Sequence, residues 1–503
     1  MSSKRIVKNI FENTNNDKVA ISSENNSKIS FRDLKTFIED ISKQLSGNGL
    51  TNKDRAAIVL PNGPAMATSF LGISSYMSAA PLNPSYKSEE YEFYLKDLNP
   101  KMIIVEKNSN NPSVEVAKKL NIEICELKTH KDQPEGLFDL FESKSDYSSP
   151  NENDEALVLH TSGTTSRPKI VPLSNNNIYS SSENISKSLS LSENDHCLNI
   201  MPLFHIHGLI AVLATSMKVG ASVCASSGFN ALKFLDLARS EKITWYSGVP
   251  TMHQAILLRA NKKREVAKNL NLRLIRSSSA SLPPAVFKDL NEAFNCPVIE
   301  AYGMTEATHQ MTSNPLPPKQ QKAGFVGLPA GPEVCIMNEN GNLMKQGEVG
   351  EVCIKGENVT LGYDNNEEAN KTSFTNGWFR TGDQGYFDKD GYLKISGRLK
   401  EIINKGGEKI SPLEVDNVLM DHPFVEQAVC FGYEDKMLGE EIATAIIVKE
   451  GMNCTEEDVK IYANEKLAKF KVPKKIFFVN EIPKGATGKL QRNTLAKKFG
   501  LTN

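Results

Sequence analysis

The chain has no excess of charge of either sign: 59 lysines and arginines stand against 60 aspartates and glutamates, a formal net charge of -1. Nucleic acid and acidic membrane surfaces therefore meet no general basic field, and any anion site must be local. Eight cysteines (Cys125, Cys197, Cys224, Cys296, Cys335, Cys353, Cys430, Cys454) are scattered without a C-x-x-C or a paired histidine spacing. That pattern excludes the common zinc and disulfide frameworks and predicts reduced thiols that fill cores. No apolar run spans a membrane: residues 209–225 are interrupted by Lys218 and Gly220 and read as a buried helix followed by a strand. Met1-Ser-Ser-Lys-Arg5 lacks the apolar core of a secretory signal, and Gly500-Leu-Thr-Asn503 is not a Ser-Lys-Leu address. The expected compartment is the cytoplasm. A Walker A loop is missing too, because no Gly-Lys-Ser/Thr tripeptide opens a helix.

What is present is a soluble composition, 39% hydrophobic and 24% charged, over 503 residues, more than one core usually holds. Asn- and Ser-rich stretches at 12–28, 107–113 and 143–154 read as surface loops. Short β-branched runs alternate with helical patterns: strand 55–60, helix 65–77, strand 102–105, helix 114–120, strand 122–125. Such alternation predicts an α/β fold with parallel sheets covered by helices. Residues 330–356 and 385–396 are rich in short strands and glycine turns and predict a small β subdomain. The pattern restarts after Lys400, with strands at 402–403, 425–432 and 442–448 and helices at 411–420 and 455–467. Thr455 before Glu456-Glu457-Asp458 has the composition of a helix cap. The last ~100 residues thus form a compact α+β unit of domain size.

His160-Thr-Ser-Gly-Thr-Thr-Ser-Arg-Pro-Lys169 follows the apolar run 156–159. Backbone amides around a glycine turn, hydroxyls and cationic heads together suit oligophosphate oxygens. A Ser/Thr-rich turn by itself is an ordinary loop. Here six more segments follow in order: Pro202-Leu-Phe-His-Ile-His-Gly208, Tyr302-Gly-Met-Thr-Glu306, Gly350-Glu-Val-Cys-Ile-Lys-Gly356, Gly377-Trp-Phe-Arg-Thr-Gly-Asp383, Ser396-Gly-Arg-Leu-Lys400 and Pro483-Lys-Gly-Ala-Thr-Gly-Lys489.

This series resembles the motifs of the acyl-adenylate-forming (AMP-binding) superfamily, which includes acyl- and aryl-CoA synthetases, luciferases and peptide-synthetase adenylation domains. The likeness runs from about Phe31 to Arg492, and its wording at 160–172 and 302–311 is most similar to oxalate–CoA ligases of plants and fungi. The resemblance implies a large N-terminal AMP-binding domain (1–396), a hinge (397–400) centred on Lys400, and a small mobile C-terminal domain (401–503). It implies ATP, Mg²⁺ and coenzyme A, with a small carboxylic acid as the other substrate. Thr161, Ser162, Gly163, Thr164, Thr165 and Lys169 would hold the β- and γ-phosphates. Tyr302 would stack on adenine beside Gly303 and an edge formed by Ser279, Ala280 and Ser281. Thr305 would touch the α-phosphate, Glu306 would hold Mg²⁺, and Asp383 with Arg398 would meet the ribose. Lys489 would be the catalytic cation that bridges the acid and the α-phosphate. Gly406, Gly407 and Lys409 lie on the loop that relatives bring to the adenylate in the thioester step. Relatives of the coumarate-ligase type often have lysine where Asn404 stands.

The acid pocket is read from His207, His309 and Ser281. On a strand His205 and His207 would share a face, and on a helix they would diverge. His309, three residues after Glu306, would lie beside it if that segment turns helical. Two histidines with Ser279 and Ser281 suggest donors for a second carboxylate rather than an apolar tunnel. A very small dicarboxylate fits this reading; medium-chain or aromatic acids are the alternative. With 14 residues after Lys489, no fused carrier domain is expected. A catalytically silent nucleotide-binding relative would be marked by loss of Lys489, Glu306 or the phosphate loop, and all three are present.

Overall fold

A computed structural model describes residues 4–161, 168–484 and 490–501. Four sheets organise them. The largest has nine strands, and six of them run parallel: Val19–Ser22, Ser222–Ala225, His196–Asn199, Trp245–Gly248, Leu274–Ser277 and Val298–Met304. Antiparallel strands flank this block, Lys28–Ser30 on one side and His309–Ser313 with Leu328–Pro329 on the other. A six-stranded sheet sets Glu123–Glu126, Met102–Val105, Arg55–Val59, Ser78–Pro81 and Glu155–His160 in parallel and ends on antiparallel Ile170–Ser174. The expected α/β class holds, and the strand read at 102–105 has those bounds.

Both faces of parallel strands must be covered, which is why their residues are almost all apolar. Met102–Val105 and Trp245–Gly248 are buried throughout. Helix Pro64–Ser74 packs against helix Phe31–Gly47, strands of the six-stranded sheet and the helix His207–Ala214. It has proline at its first turn, where no amide donor is needed, and buries ten of its eleven residues. The segment 209–225 does form a helix and a strand. The helix begins as a wide π-type turn, His207–Ala214, continues as Thr215–Lys218, and gives way to strand Ser222–Ala225. Gly208 permits this start, since a Cβ there would lie 2.4 Å from the Pro202 carbonyl oxygen.

The expected small β unit is a five-stranded antiparallel sheet of Glu333–Met337, Gly350–Lys355, Phe374–Thr375, Trp378–Phe387 and Leu393–Arg398. A fourth sheet comprises Ile403–Lys405, Glu408–Ile410, Val425–Asp435, Gly439–Val448 and Lys475–Phe478. Helices Pro412–Met420 and Glu456–Lys466 flank it, and Thr455 caps the second one through a reciprocal bond with Asp458. Inside this unit the carboxylate of buried Asp416 accepts from Arg492 Nη2 at 2.6 Å, and Arg492 Nε reaches Glu401 at 3.4 Å. The eight cysteines are free thiols, seven of them buried. Among the described residues no helix is long and apolar enough to cross a membrane.

Candidate active site

The serine- and threonine-rich segment lies between two antiparallel strands, Glu155–His160 and Ile170–Ser174. Its ends are clamped. Thr161 N donates to Lys169 O at 2.9 Å, and Lys169 N donates to Thr161 Oγ1 at 3.1 Å. Ser162, Gly163, Thr164 and Thr165 lie outside the described residues. The Lys169 ammonium stands 4.3 Å from the centroid of the Tyr363 ring. Burial lowers its pKa, the Glu306 carboxylate works against that, and the charge of Lys400 adds to the lowering.

Glu306 is buried, and Tyr363 Oη donates to its Oε1 at 2.8 Å. Burial raises the Glu306 pKa; the Tyr363 hydrogen bond, Arg398 and Lys169 only partly offset it. Tyr302, on the strand leading to Glu306, gives its hydroxyl hydrogen to Asp383 Oδ2. Arg398 Nε meets Asp383 Oδ1 at 3.1 Å, and the two residues face each other across paired strands. Leu399 N then donates to Gly382 O at 2.9 Å, which leaves Lys400 exposed beyond this anchor. Tyr302, Glu306, Asp383, Arg398 and Lys169 therefore converge, although their elements are far apart in sequence.

The turn after Tyr302 does not take the helical course under which His309 would lie beside Glu306. Thr305–Ala307 makes one 3₁₀ turn, and Thr308 and His309 then take positive φ values of 49° and 96°. The chain reverses into strand His309–Ser313, antiparallel to Val298–Met304. His309 is thus not one helical turn from Glu306 but at the start of the returning strand. A Cβ on Gly303 would stand 1.9 Å from the His309 carbonyl oxygen, so glycine is required for this close approach.

On the far side of that turn is a buried polar cluster. His207 opens its helix, and its backbone N donates to His205 Nδ1 at 3.3 Å. Neither the shared face of a strand nor a helix running through both residues describes the pair. His207 Nδ1 lies 2.9 Å from Ser279 Oγ and its Nε2 lies 2.6 Å from Ser247 Oγ. The His207 and His309 rings are 4.9 Å apart. The serine that meets His207 is Ser279, in a left-handed conformation with φ 73°; Ala280 and Ser281 follow it toward the surface. Behind both rings sits Arg276, fully buried on strand Leu274–Ser277. It was not among the residues expected from sequence, although a cation inside the run Leu274-Ile275-Arg276 is itself a signal. Its guanidinium contacts Ser247 Oγ, Gln310 Oε1 and both histidines.

Lys489, with 485–488, lies outside the described residues. The stem of that segment is held by a bridge between Lys484 and Leu490 and by Gln491 N donating to Pro483 O at 2.9 Å. Among the described residues no cluster of three or more His, Cys, Asp or Glu is arranged to hold a metal. A single buried carboxylate such as Glu306 suits Mg²⁺ when phosphate oxygens and water complete the shell.

Residues 9–364 match the family model described as AMP-binding enzyme, and residues 414–489 match the AMP-binding enzyme C-terminal domain. The chain is 47% identical to an oxalate–CoA ligase of Arabidopsis thaliana over 469 residues, covering 91% of each protein. It is 41% identical to an oxalate–CoA ligase of Saccharomyces cerevisiae over 95% of this chain and 93% of that one. The crystal structure of ATP-bound MatB from Rhodopseudomonas palustris superposes with a TM-score of 0.91 at 27% identity, covering 99% of both chains.

Glu306 gives a test of the cleft's electrostatics. A carboxyl whose folded pKa lies above its unfolded one favours the fold while protonated and loses that contribution as pH rises through the folded value. Glu306→Gln keeps the acceptor for Tyr363 and removes the buried charge. Thermal unfolding should place its midpoint at or above that of the unmodified protein at pH 7.5, with the gap closing as pH falls through the carboxylate range. A lower midpoint at pH 7.5 would contradict the assignment of burial as the dominant influence.

Proposed function

Because this chain belongs to the AMP-binding enzyme family, we propose that it converts oxalate, ATP and coenzyme A into oxalyl-CoA, AMP and diphosphate through an oxalyl-adenylate. The curated relatives named oxalate–CoA ligase support the reaction, at 41–47% identity over most of the chain. The observation that carries the choice of acid is the polar cluster of His207, His309, Ser279 and Arg276 beside the Tyr302–Glu306 turn. A medium-chain or aromatic acid would bury apolar surface against a polar cluster, whereas a short dicarboxylate brings a second charged group to it.

In the first step an oxygen of one oxalate carboxylate attacks the α-phosphorus of ATP and diphosphate leaves. Two anions must meet, so the site has to supply positive charge and fixed position. Thr161, Ser162, Gly163, Thr164, Thr165 and Lys169 take the β- and γ-phosphates in this reading. Tyr302, its hydroxyl tied to Asp383, offers a ring face to adenine between Gly303 and the Ser279, Ala280, Ser281 edge. Asp383 accepts from ribose hydroxyls in this reading, and Arg398, paired with it at 3.1 Å, adds donors there. Thr305 contacts the α-phosphate. Mg²⁺ would be held by Glu306 and would neutralise phosphate charge, which fits a carboxylate already oriented by Tyr363. Lys489 bridges the acid and the α-phosphate as a point charge.

In the second step the thiol of coenzyme A attacks the oxalyl carbonyl carbon next to the adenylate oxygen, and AMP departs with that oxygen. We assign residues 1–396 to the large domain, 397–400 to a hinge at Lys400 and 401–503 to a mobile small domain that exchanges Lys489 for the face used by the thiol. Exposure of Lys400, between the Asp383–Arg398 and Glu401–Arg492 pairs, supports that assignment. Reduced, mostly buried thiols support a cytoplasmic setting.

A panel of acids assayed for CoA-dependent AMP release should give oxalate the highest kcat/KM; no AMP formation with oxalate would refute the choice of acid. Lys489→Ala should slow acid-dependent diphosphate release by roughly 10²–10³-fold while a supplied acyl-adenylate is still converted with coenzyme A. Equal loss of both half-reactions would count against two poses. Lys400→Pro should slow thioester formation more than adenylation, and the opposite order would remove the hinge.

A further inference from the structure

Cys335 and Cys353 stand directly opposite each other on the antiparallel strands Glu333–Met337 and Gly350–Lys355 of the small β sheet. Residues paired in this way have Cα atoms about 4.5–5.5 Å apart and side chains on one face of the sheet. A disulfide needs Cα atoms about 4.4–6.8 Å apart, so the backbone already has the spacing. Among the described residues no other two cysteines are register partners. The two thiols also differ in access. Cys335 is partly exposed, whereas Cys353 and the other cysteines are buried. A hydrogen bond with Cys353 lowers the pKa of Cys335, with burial and Glu333 working against it; the same bond, together with burial, raises that of Cys353. The thiol that forms a thiolate more readily is therefore the one an oxidant can reach, and its partner is shielded behind it.

The pair adjoins the turn that carries Asp383. On its other side Cys353 is the register partner of Arg380 in strand Trp378–Phe387. Arg380 Nε donates to Glu351 Oε2 at 2.7 Å, and Glu351 Oε1 accepts from Gly382 N at 2.9 Å. Val352 O accepts from Thr381 Oγ1 at 2.8 Å, and that hydroxyl accepts in turn from Asp383 N at 3.1 Å. The two residues before Cys353 thus hold the backbone on which Asp383 is mounted. Opposite residues of a sheet have Cβ atoms about 4.5–5.5 Å apart, against about 3.5–4.5 Å across a disulfide. Closing the bond therefore draws the strands together by about 1 Å, and Glu351 and Val352 move with Cys353.

We propose that Cys335 and Cys353 form a reversible dithiol–disulfide pair, a modification site for hydroperoxides whose closure shifts the Asp383 turn and weakens ATP binding. The effect on ATP rests on the function proposed above; the disulfide itself does not. In the first step the Cys335 sulfur attacks one oxygen of hydrogen peroxide. An S–O bond forms, the O–O bond breaks, and the other oxygen leaves as water with the thiol proton, so that Cys335 becomes a sulfenic acid. Cys353 Sγ then attacks Cys335 Sγ. The S–S bond forms, the S–O bond breaks, and hydroxide departs with the Cys353 proton as a second water. Two thiols lose two electrons, and one peroxide is reduced to two waters. A dithiol reductant restores both thiols by exchange, so in a reducing compartment the bond is transient.

The test reads the bond and the nucleotide separately. The reduced full-length protein is treated with hydrogen peroxide, alkylated with N-ethylmaleimide in denaturant, digested and mapped by mass spectrometry. One cross-linked peptide pair should appear, Cys335 to Cys353, and dithiothreitol should abolish it while the remaining cysteines are found alkylated. Calorimetric titration should give a Kd for ATP at least about 5-fold higher after peroxide, restored by dithiothreitol. Cys335→Ser should form no cross-link and bind ATP equally with and without peroxide. Cys353→Ser should leave Cys335 as a sulfenic acid that dimedone traps. Absence of the Cys335–Cys353 peptide, a prevailing link between other cysteines, or the same loss of ATP affinity in peroxide-treated Cys335→Ser would overturn the proposal. A cross-link with unchanged ATP affinity would overturn the coupling to the Asp383 turn. Should Cys353→Ser fail to fold, the peptide map of the unmutated protein and the partly exposed Cys335→Ser variant supply the decision. If the reduced protein does not bind ATP, the proposed function fails while the peptide map still decides the fate of the pair.

Discussion

At Gly303 the backbone of one strand passes so close to the His309 carbonyl that only a hydrogen fits on the α-carbon between them. This contact closes a turn in which Thr308 and His309 both have positive φ, a conformation that costs non-glycine residues of order 1–3 kcal/mol each. The fold supports it by seating both strands in the nine-stranded sheet and by the buried bond from Ser181 Oγ to Thr308 O at 2.6 Å. In return, Tyr302 and Glu306 meet Asp383 and Tyr363 while His309 faces Arg276 and His207. The proposed adenylation brings both reactants within bonding distance, and this one turn carries residues assigned to each.

The charges of the cleft are set in place before any ligand arrives. Glu306 is held as a buried carboxyl by Tyr363, Asp383 is spanned by Tyr302 and Arg398, and Arg276 contacts two imidazoles. Each carries a burial cost that a phosphate, a cation or a carboxylate would offset. Preorganised dipoles of this type need no reorganisation at the moment of reaction, which makes them effective against charge that develops late.

Local pattern carried a large part of this in the sequence. Period and β-branching locate Met102–Val105 and helix Glu456–Lys466, and the restart after Lys400 coincides with a sheet wholly built from residues beyond it. The ordered motifs identify Tyr302, Glu306, Asp383 and Lys169, which the fold does bring together. The course after Glu306 was not legible, because spacing of three residues cannot distinguish a continued helix from a left-handed reversal. Tyr363 and Arg276 were missed for a different reason. Tyr363 meets Glu306 from 57 residues away, and Arg276 meets Gln310 across 34, so their partners are defined only by tertiary packing. The bond between Ser279 and His207 was not legible either, because it depends on a single positive φ that composition does not encode.

The central claim is that an acid oxygen becomes bonded to the α-phosphorus of ATP in this cleft. Turnover with ¹⁸O-labelled oxalate, followed by mass spectrometry of the products, tests it directly. One labelled oxygen per turnover should appear in the phosphoryl group of AMP and none in diphosphate. Unlabelled AMP, or label in any other phosphate product, would contradict an acyl-adenylate route.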